Sequence, residues 1–153
     1  MIRQYTDSDV DAVVAIWRSA SELAHPFLSS EFLDTEEGNV RNVYPKFAEI
    51  WVKEIGTKET GIQVIDTQVI GFIALIGNEV GAIFLSPDHH GQGIGRALMD
   101  TAVDMKGDVT VDVFKQNEIG RRFYDGYGFK AVKEYLHEPS GQVTITMAFN
   151  KIR

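Results

Sequence analysis

A glycine-rich junction between an apolar run and a helical pattern constrains this chain more than any other feature. The run Ala82–Leu85 stops at Pro87, and Gly91, Gly93 and Gly95 follow at alternate positions just before a helical pattern starts. Such a junction presents bare backbone N–H groups at a helix N-terminus, together with the positive end of the helix dipole. It therefore predicts a site for an anion such as a pyrophosphate, although a plain glycine turn before a helix would leave the same pattern.

The composition narrows the class of protein. The 153 residues are 44% hydrophobic and 24% charged, which predicts one globular domain over residues 1–153. No apolar run approaches the ~20 residues of a membrane-spanning helix and no signal core is present, so we expect a cytoplasmic protein that does not bind membranes. A net charge of −7 without a basic run argues against a nucleic-acid partner.

The chain has no cysteine, which excludes disulfides, thiolate metal sites and a cysteine acyl-enzyme. No group of histidines and carboxylates has the spacing of metal ligands, so no metal site is expected.

Periodic apolar residues divide the first third of the chain into two predicted helices. Three- and four-residue steps predict a helix that starts at a Thr6–Asp9 capping box and ends near His25–Pro26. Phe27–Asp34 is interpreted as a linking segment. The same spacing predicts a second helix over Val40–Trp51, kinked or divided at Pro45.

Strands and helices alternate in the rest of the chain. A three-stranded meander is expected, with turns at Asp66–Gln68 and Gly77–Glu79. The predicted strands are Gly61–Ile65, Val69–Ile76, Val80–Leu85, Val109–Val113 and a final hairpin of Phe129–Leu136 with Val143–Phe149. The predicted helices are Gly93–Met105 and Glu118–Tyr127. This order predicts an α/β (α+β) fold with a mixed, mainly antiparallel central sheet flanked by helices.

The glycine loop matches neither common nucleotide-binding template. Arg96 stands where the third glycine of a dinucleotide fingerprint would fall, and the Gly-Lys-Ser/Thr of a P-loop is absent. A nucleotide-binding protein unrelated to acyl transfer is therefore disfavoured. A compact loop for a pyrophosphate at the start of a helix remains.

A second cluster lies downstream, between Asn117 and Phe129. Asn117 is predicted to cap a helix, and Tyr124 lies about two turns further along the same face. Gly128 is the expected helix stop. Tyr124 is either a functional residue or an aromatic that merely packs.

Together, and in this order, the two clusters resemble the GCN5-related N-acetyltransferase (GNAT) superfamily. The acetyl-CoA loop of that family has Arg or Gln, two free positions, Gly, one free position, then Gly or Ala. Here His90–Gly95 occupies it, with His90 at the Arg/Gln position. The family's Asn, Phe-Tyr and Gly-Phe signature is matched by Asn117, Phe123–Tyr124 and Gly128–Phe129.

The similarity covers roughly Val69 to Phe149, and Ala24–Leu28 looks like a small bacterial branch of the family. It implies an acetyl-CoA-dependent N-acetyltransferase that moves the acetyl group directly to a primary amine of a small molecule or a protein in a ternary complex. The alternative is a non-catalytic acetyl-CoA-binding sensor. A homodimer is compatible with either reading.

The resemblance also assigns roles to residues. Tyr124 is the expected general acid for the departing thiolate, and the two strands beside the loop should splay apart to admit the cofactor. The residues expected to bind acetyl-CoA are Phe84, Leu85, His90, Gly91, Gln92, Gly93, Ile94, Gly95, Arg96 and Asn117.

The general base is less determined by the sequence. Glu79 is one candidate, or else a solvated turn residue, and His25 is another, or else a cap of the first helix. Aromatic residues of the N-terminal region either line an acceptor pocket or pack in the core; they are Trp17, Phe27, Phe32, Tyr44, Phe47 and Trp51.

Overall fold

One seven-stranded sheet runs through the computed structural model, which describes residues 1–60 and 63–151. The strands are β1 (Ile2–Gln4), β2 (Glu49–Thr60), β3 (Gln63–Ile76), β4 (Glu79–Leu85), β5 (Val109–Phe114), β6 (Lys130–His137) and β7 (Gln142–Phe149). They lie in the order β1-β2-β3-β4-β5-β7-β6. Among these pairs β4 and β5 run parallel and the others antiparallel, so the predicted mixed, mainly antiparallel sheet is confirmed.

Four α-helices cover the two faces of this sheet. They are α1 (Val10–Ala24), α2 (Ser30–Asn42), α3 (Ile94–Lys106) and α4 (Glu118–Tyr127). One apolar cluster joins α3 and α4 to the sheet around the fully buried Leu98, Met99 and Phe129. A second cluster joins α1 and α2 to the opposite face through Val13, Val52 and neighbouring apolar side chains. Each helix buries the apolar stripe that its three- and four-residue spacing produced.

The prediction for the second helix was wrong in its position. The helix α2 spans Ser30–Asn42, so much of Phe27–Asp34 is helical rather than a linker. Ser29 begins it, because the Ser29 hydroxyl accepts a hydrogen bond from the Phe32 N–H at 3.1 Å. Only a short 3₁₀ turn at Tyr44–Lys46 follows the helix.

The last apolar residues assigned to that helix belong to β2 instead. Ile50 and Val52 are buried against α1, whereas Trp51 between them packs against the other face of the sheet. This alternation has the two-residue period of a strand. It was masked in the sequence because apolar residues upstream happen to continue a helical spacing.

The predicted turn at Asp66–Gln68 was also wrong. These residues lie inside β3, where Thr67 is opposite Gly56 and Gln68 is opposite Ile55. Register shifts in β2 accompany this polar stretch, and they let the two strands continue as one long hairpin. The predicted strand Gly61–Ile65 begins outside the described residues, since Gly61 and Ile62 are not among them. The three-residue strand β1 was not predicted.

The remaining predicted elements are confirmed. Helix α1 follows the Thr6–Asp9 capping box, in which the Thr6 N–H donates to Asp9 Oδ2 at 2.8 Å. The helices α3 and α4, strand β5 and the terminal hairpin agree with the predicted bounds to within a residue or two.

The ring of Phe129 ties α4 to the sheet, and its removal is expected to destabilise the whole α4 side. Phe129 is 0% exposed and its ring contacts those of Tyr124, Tyr127 and Phe149. Phe129→Ala should lower the free energy of unfolding by about 3–5 kcal/mol, measured by urea denaturation. Val132→Ala is the matched control, because Val132 is 64% exposed and should change stability by less than about 0.5 kcal/mol. Similar losses in the two variants would contradict this account.

Candidate active site

A cleft opens in the sheet where β4 and β5 part. The two strands pair only at Glu79–Thr110 and Val80–Val111. Beyond those residues each strand keeps its outer partner, β3 for β4 and β7 for β5. The predicted splaying of the strands is therefore confirmed, and the carboxyl end of β4 leads directly into the glycine loop.

The glycine loop supplies a bare backbone at the start of α3. Gly91 and Gly93 have φ angles of 80° and 77°, in the left-handed region that side chains disfavour, and Gly93 is the N-cap of α3. Gly95 is needed for a different reason: a Cβ there would lie 3.1 Å from Cε1 of Phe123. The predicted junction of loop and helix N-terminus is thus present in the fold.

A cavity of about 330 Å³ lies between this loop and α4. Its lining residues are Leu85, Gly91, Gly93, Ile94, Gly95, Arg96, Arg122, Phe123, Gly126 and Tyr127. The Arg96 guanidinium lies 5.0 Å from the centre of the Tyr127 ring. Arg122 has no ion-pair partner among the described residues, so the cavity combines a helix N-terminus with two cationic side chains. Both features favour a ligand that carries phosphates.

The expected cofactor residues lie in three places. Leu85, Arg96 and most of the glycine loop line the cavity, whereas His90 and Gln92 lie on the exposed outer part of the loop. Phe84 and Asn117 lie in the cleft rather than in the cavity. The α4 residues Phe123 and Tyr127 line the cavity as well, and their four-residue spacing on the helix was the signal available in the sequence.

Asn117 caps α4 as predicted. Its Oδ1 accepts a hydrogen bond from the Gly120 N–H at 2.8 Å. Gly120 leaves room for the folded-back amide, since a Cβ there would lie only 2.5 Å from Asn117 Nδ2. The start of α4 is therefore fixed by a buried side chain rather than by solvent.

Tyr124 lies further along the same helix with its ring buried. It is 8% exposed, and its ring contacts those of Phe123 and Phe129. Its hydroxyl makes no hydrogen bond to another described residue, and it is not among the buried polar atoms that lack a partner. The hydroxyl thus retains contact with solvent. Burial raises the pKa of Tyr124, so the phenol is protonated at neutral pH.

Aromatic rings from both sides of the cleft meet on the face that α1 and α2 cover. We refer to this group as the aromatic cluster; it consists of His25, Phe27, Phe32, Phe84, Phe114 and His137. Phe114 is central, with ring centres 5.1 Å from His25 and 5.8 Å from both Phe27 and His137. Phe27 thus contacts the rings of His25 and Phe114, whereas Phe32 joins the cluster only through the ring of His137.

The other N-terminal aromatic residues do not join this cluster. Trp17 and Tyr44 pack in or against the α1–α2 core, and Trp51 packs against the core on the α3–α4 side. Phe47 is exposed. The structure gives no support to the acceptor-pocket interpretation for these four residues.

His25 lies at the end of α1 and points into the cleft. Its backbone N–H donates to the Ser21 carbonyl oxygen at 2.7 Å. His25 therefore caps the end of α1 through its main chain and not through its imidazole ring. Its ring is buried, and Nε2 lies 3.1 Å from Asn117 Nδ2. Burial without a compensating charge lowers the pKa of His25 to about 4. A histidine with that pKa is a poor general base at neutral pH.

Glu79 lies at the far end of β4 from the glycine loop. Six residues separate it from Leu85, roughly 20 Å along a strand. It borders a surface depression of about 360 Å³ with Asp112, Lys133 and Tyr135. The structure therefore does not bring this candidate base to the loop.

None of the helices in residues 1–60 and 63–151 combines the length and apolarity needed to cross a bilayer. In the same residues, no three His, Asp or Glu side chains lie together as metal ligands would.

The chain is similar in sequence to known acetyltransferases. Residues 48–131 match the family described as acetyltransferase (GNAT) domain. Peptidyl-lysine N-acetyltransferase YjaB of Escherichia coli (strain K12) is 34% identical over 129 residues, which cover 84% of this chain and 81% of that protein. Peptidyl-lysine N-acetyltransferase YiaC of the same organism is 27% identical over 133 residues, covering 86% and 84%.

Solved structures show the same fold. The solution structure of apo-form YjaB from Escherichia coli superposes with a TM-score of 0.81 and 28% identity, covering 99% of this chain and 98% of that chain. The crystal structure of the PaiA N-acetyltransferase from Thermoplasma acidophilum in complex with coenzyme A gives a TM-score of 0.72 at 17% identity, covering 97% and 98%.

The buried neutral His25 makes the fold sensitive to acid. Its pKa is about 4 in the folded chain and about 6.5 when unfolded, so its contribution is complete above pH 6.5 and is lost as pH falls toward 4. At pH 5 the unfolded state should gain about 2 kcal/mol from protonation of this residue. We expect His25→Gln to lose correspondingly less stability than the wild type between pH 7 and pH 5, measured by urea denaturation. Identical pH dependences would show that His25 is not buried in the neutral form.

Proposed function

Since the chain belongs to the GNAT acetyltransferase family, we propose that it acetylates the side-chain amines of lysine residues in proteins. The chain is an acetyl-CoA-dependent N-acetyltransferase. Two relatives of similar length are named for peptidyl-lysine acetylation, and this supports a protein acceptor over a small molecule. The non-catalytic sensor is not favoured.

The single observation that carries the proposal is the arrangement around the cleft. The glycine loop and α4 border it on one face of the sheet, and the aromatic cluster borders it on the other. The residues Leu85 and Phe84 are consecutive on β4 and contribute to opposite faces. A donor held at the loop and an acceptor held by the aromatic cluster would therefore meet where β4 and β5 part.

Acetyl-CoA would be held mainly by main-chain groups. The N–H groups at the start of α3 would bind the pyrophosphate, with Arg96 and Arg122 adding positive charge beside it. The pantetheine arm would lie along the end of β4. There the strand has no partner on the β5 side, so backbone N–H groups are available to polarise the thioester carbonyl.

Tyr124 is the proposed proton donor. An alkyl thiol has a pKa near ~8.5 and an ordinary tyrosine near ~10, so a phenol can stabilise a departing thiolate. Burial raises the pKa of Tyr124 further above that of the thiol, so the phenol stabilises the departing thiolate by donating a hydrogen bond to it. The proton that the amine loses to water balances the proton that the thiolate takes up. The unpartnered hydroxyl is free to donate because no other described residue accepts its hydrogen bond.

The acceptor must reach the thioester as a neutral amine. An ordinary lysine has a pKa near 10.4, so only about 0.1% is neutral at pH 7.4. The aromatic cluster carries no charged carboxylate or ammonium group, and transfer of an ammonium into such surroundings lowers its pKa. We propose that this desolvation, with water as proton acceptor, replaces a dedicated basic side chain.

The absence of cysteine supports direct transfer in a ternary complex rather than an acyl-cysteine intermediate. The rate advantage would then come from holding amine and thioester in line, which can remove several kcal/mol (roughly 7–11 at most) from the barrier.

Tyr124→Phe tests the proton donor. We expect kcat for a lysine peptide to fall about 100-fold because thiolate departure loses its acid, while the calorimetric Kd for acetyl-CoA changes less than about twofold. Thiol release reports kcat. The matched control is Tyr5→Phe, which also removes a hydroxyl from a partly buried tyrosine, but one that packs against the other core. An unchanged kcat in Tyr124→Phe would rule out this role.

Arg122→Gln tests the cofactor cavity. Removal of a cation beside the phosphates should raise the Kd for acetyl-CoA about fivefold at low salt, and less at high salt. Arg121→Gln is the control, since Arg121 donates to the Lys115 carbonyl oxygen at 2.9 Å and does not line the cavity. Equal effects of the two substitutions would argue that the phosphates bind elsewhere.

A further inference from the structure

We propose that His25 is a positioning residue: through Asn117 it fixes the start of α4 and thereby the place of the Tyr124 hydroxyl. This inference rests on the proposed proton-donor role of Tyr124. It gives His25 a function different from that of a general base and connects the acceptor side of the cleft to the helix that carries the acid.

The contact between His25 and Asn117 joins distant parts of the chain. It is a buried side-chain hydrogen bond between residues 92 positions apart, at the C-terminus of α1 and the N-terminus of α4. Both side chains are almost fully buried. A bond in such surroundings has no water to replace it, so its geometry is strongly constrained.

The capping hydrogen bond of Asn117 determines which atom donates in its contact with His25. Asn117 Oδ1 accepts from the Gly120 N–H, so the other end of the amide, Nδ2, faces His25 and must donate. His25 Nε2 is then the acceptor, and the imidazole proton is on Nδ1. The Nε2 lone pair is therefore already engaged, which explains why this ring cannot also take a proton from the amine.

The imidazole ring is itself held on three sides. Phe27, Phe84 and Phe114 meet it edge-on at 5.6, 6.3 and 5.1 Å, and they come from the α1–α2 connection, β4 and β5 respectively. None of these three rings has a hydrogen-bonding group that competes with Asn117 for the imidazole nitrogens. The position of the imidazole ring, and so that of the Asn117 amide, therefore depends on the positions of β4 and β5.

Asn117 and Tyr124 move together because they share one short helix. Seven residues separate them, about 10 Å along the axis. The folded-back amide is held at both ends, since its Oδ1 accepts from the Gly120 N–H and its Nδ2 faces His25 Nε2. A shift of 1 Å in a catalytic group can reduce a rate about 100-fold, so loss of the anchor at Asn117 is expected to appear in kcat.

A pair of amide substitutions at His25 tests the bond. In His25→Gln the side-chain oxygen reaches about as far as Nε2 and can accept from Asn117; in His25→Asn the same amide is one methylene too short. We expect Gln to retain kcat within about threefold of wild type and Asn to lose about 10- to 30-fold, with the KM for acetyl-CoA within twofold in both. Equal losses in the two variants would overturn the inference.

A double-mutant cycle shows whether His25 acts through Tyr124. In the Tyr124→Phe background, His25→Asn should lower kcat by less than twofold, because the acid that it positions is already gone. Losses that multiply would mean that His25 acts by another route. Thermal melting of each variant is measured alongside, since a purely structural role would lower Tm without this dependence on Tyr124.

Asn117→Ser approaches the same bond from the other side, should a His25 variant fail to fold. Serine still caps a helix but is too short to reach His25. Its kcat loss should match that of His25→Asn, and the double variant that carries both substitutions should lose no more kcat than either single variant.

If Tyr124→Phe by itself leaves kcat unchanged, the proton-donor role fails and this inference with it. If Tyr124→Phe loses kcat but the cycle is additive, only the positioning role fails.

Discussion

The separation of β4 from β5 is the constraint on which the rest of the structure depends. Two residue pairs hold the strands in parallel, and each strand then follows its outer antiparallel partner. A sheet cannot leave such a gap in its interior without other groups to fill it. Asn117 and the aromatic cluster lie at the gap here, and a ligand can use the main-chain groups that β4 leaves unpaired.

The two faces of the gap have different chemistry because different helices cover them. On the α3–α4 side, left-handed glycines and arginines make a polar, cationic cavity. On the α1–α2 side, uncharged aromatic rings form the wall. The proposed lysine acceptor and a phosphorylated donor would therefore approach from different sides, and the hydrogen bond between His25 and Asn117 crosses between those sides.

Local patterns predicted the elements that carry their own start and stop signals. Helices α3 and α4 have a glycine or asparagine cap at one end and a glycine at the other, and their bounds were predicted closely. The strand β2 has no such signal. Ile50 and Trp51 continue a helical spacing by chance. Only their pairing with β3 and their packing on opposite faces of the sheet decide that they are extended. The glycine loop and the place of Tyr124 on α4 were therefore predictable, while the residue that meets Asn117 was not.

The sequence alone determined the glycine loop, the caps of α4 and the membership of the GNAT family, because these are properties of consecutive residues. Only the tertiary structure decided the surroundings of His25. Its imidazole pKa and its tautomer depend on burial among Phe27, Phe84 and Phe114 and on an amide 92 positions away. The same fold placed Glu79 at the end of β4 that is remote from the glycine loop. Burial and long-range hydrogen bonds arise only when the chain has folded, so no local pattern encodes them.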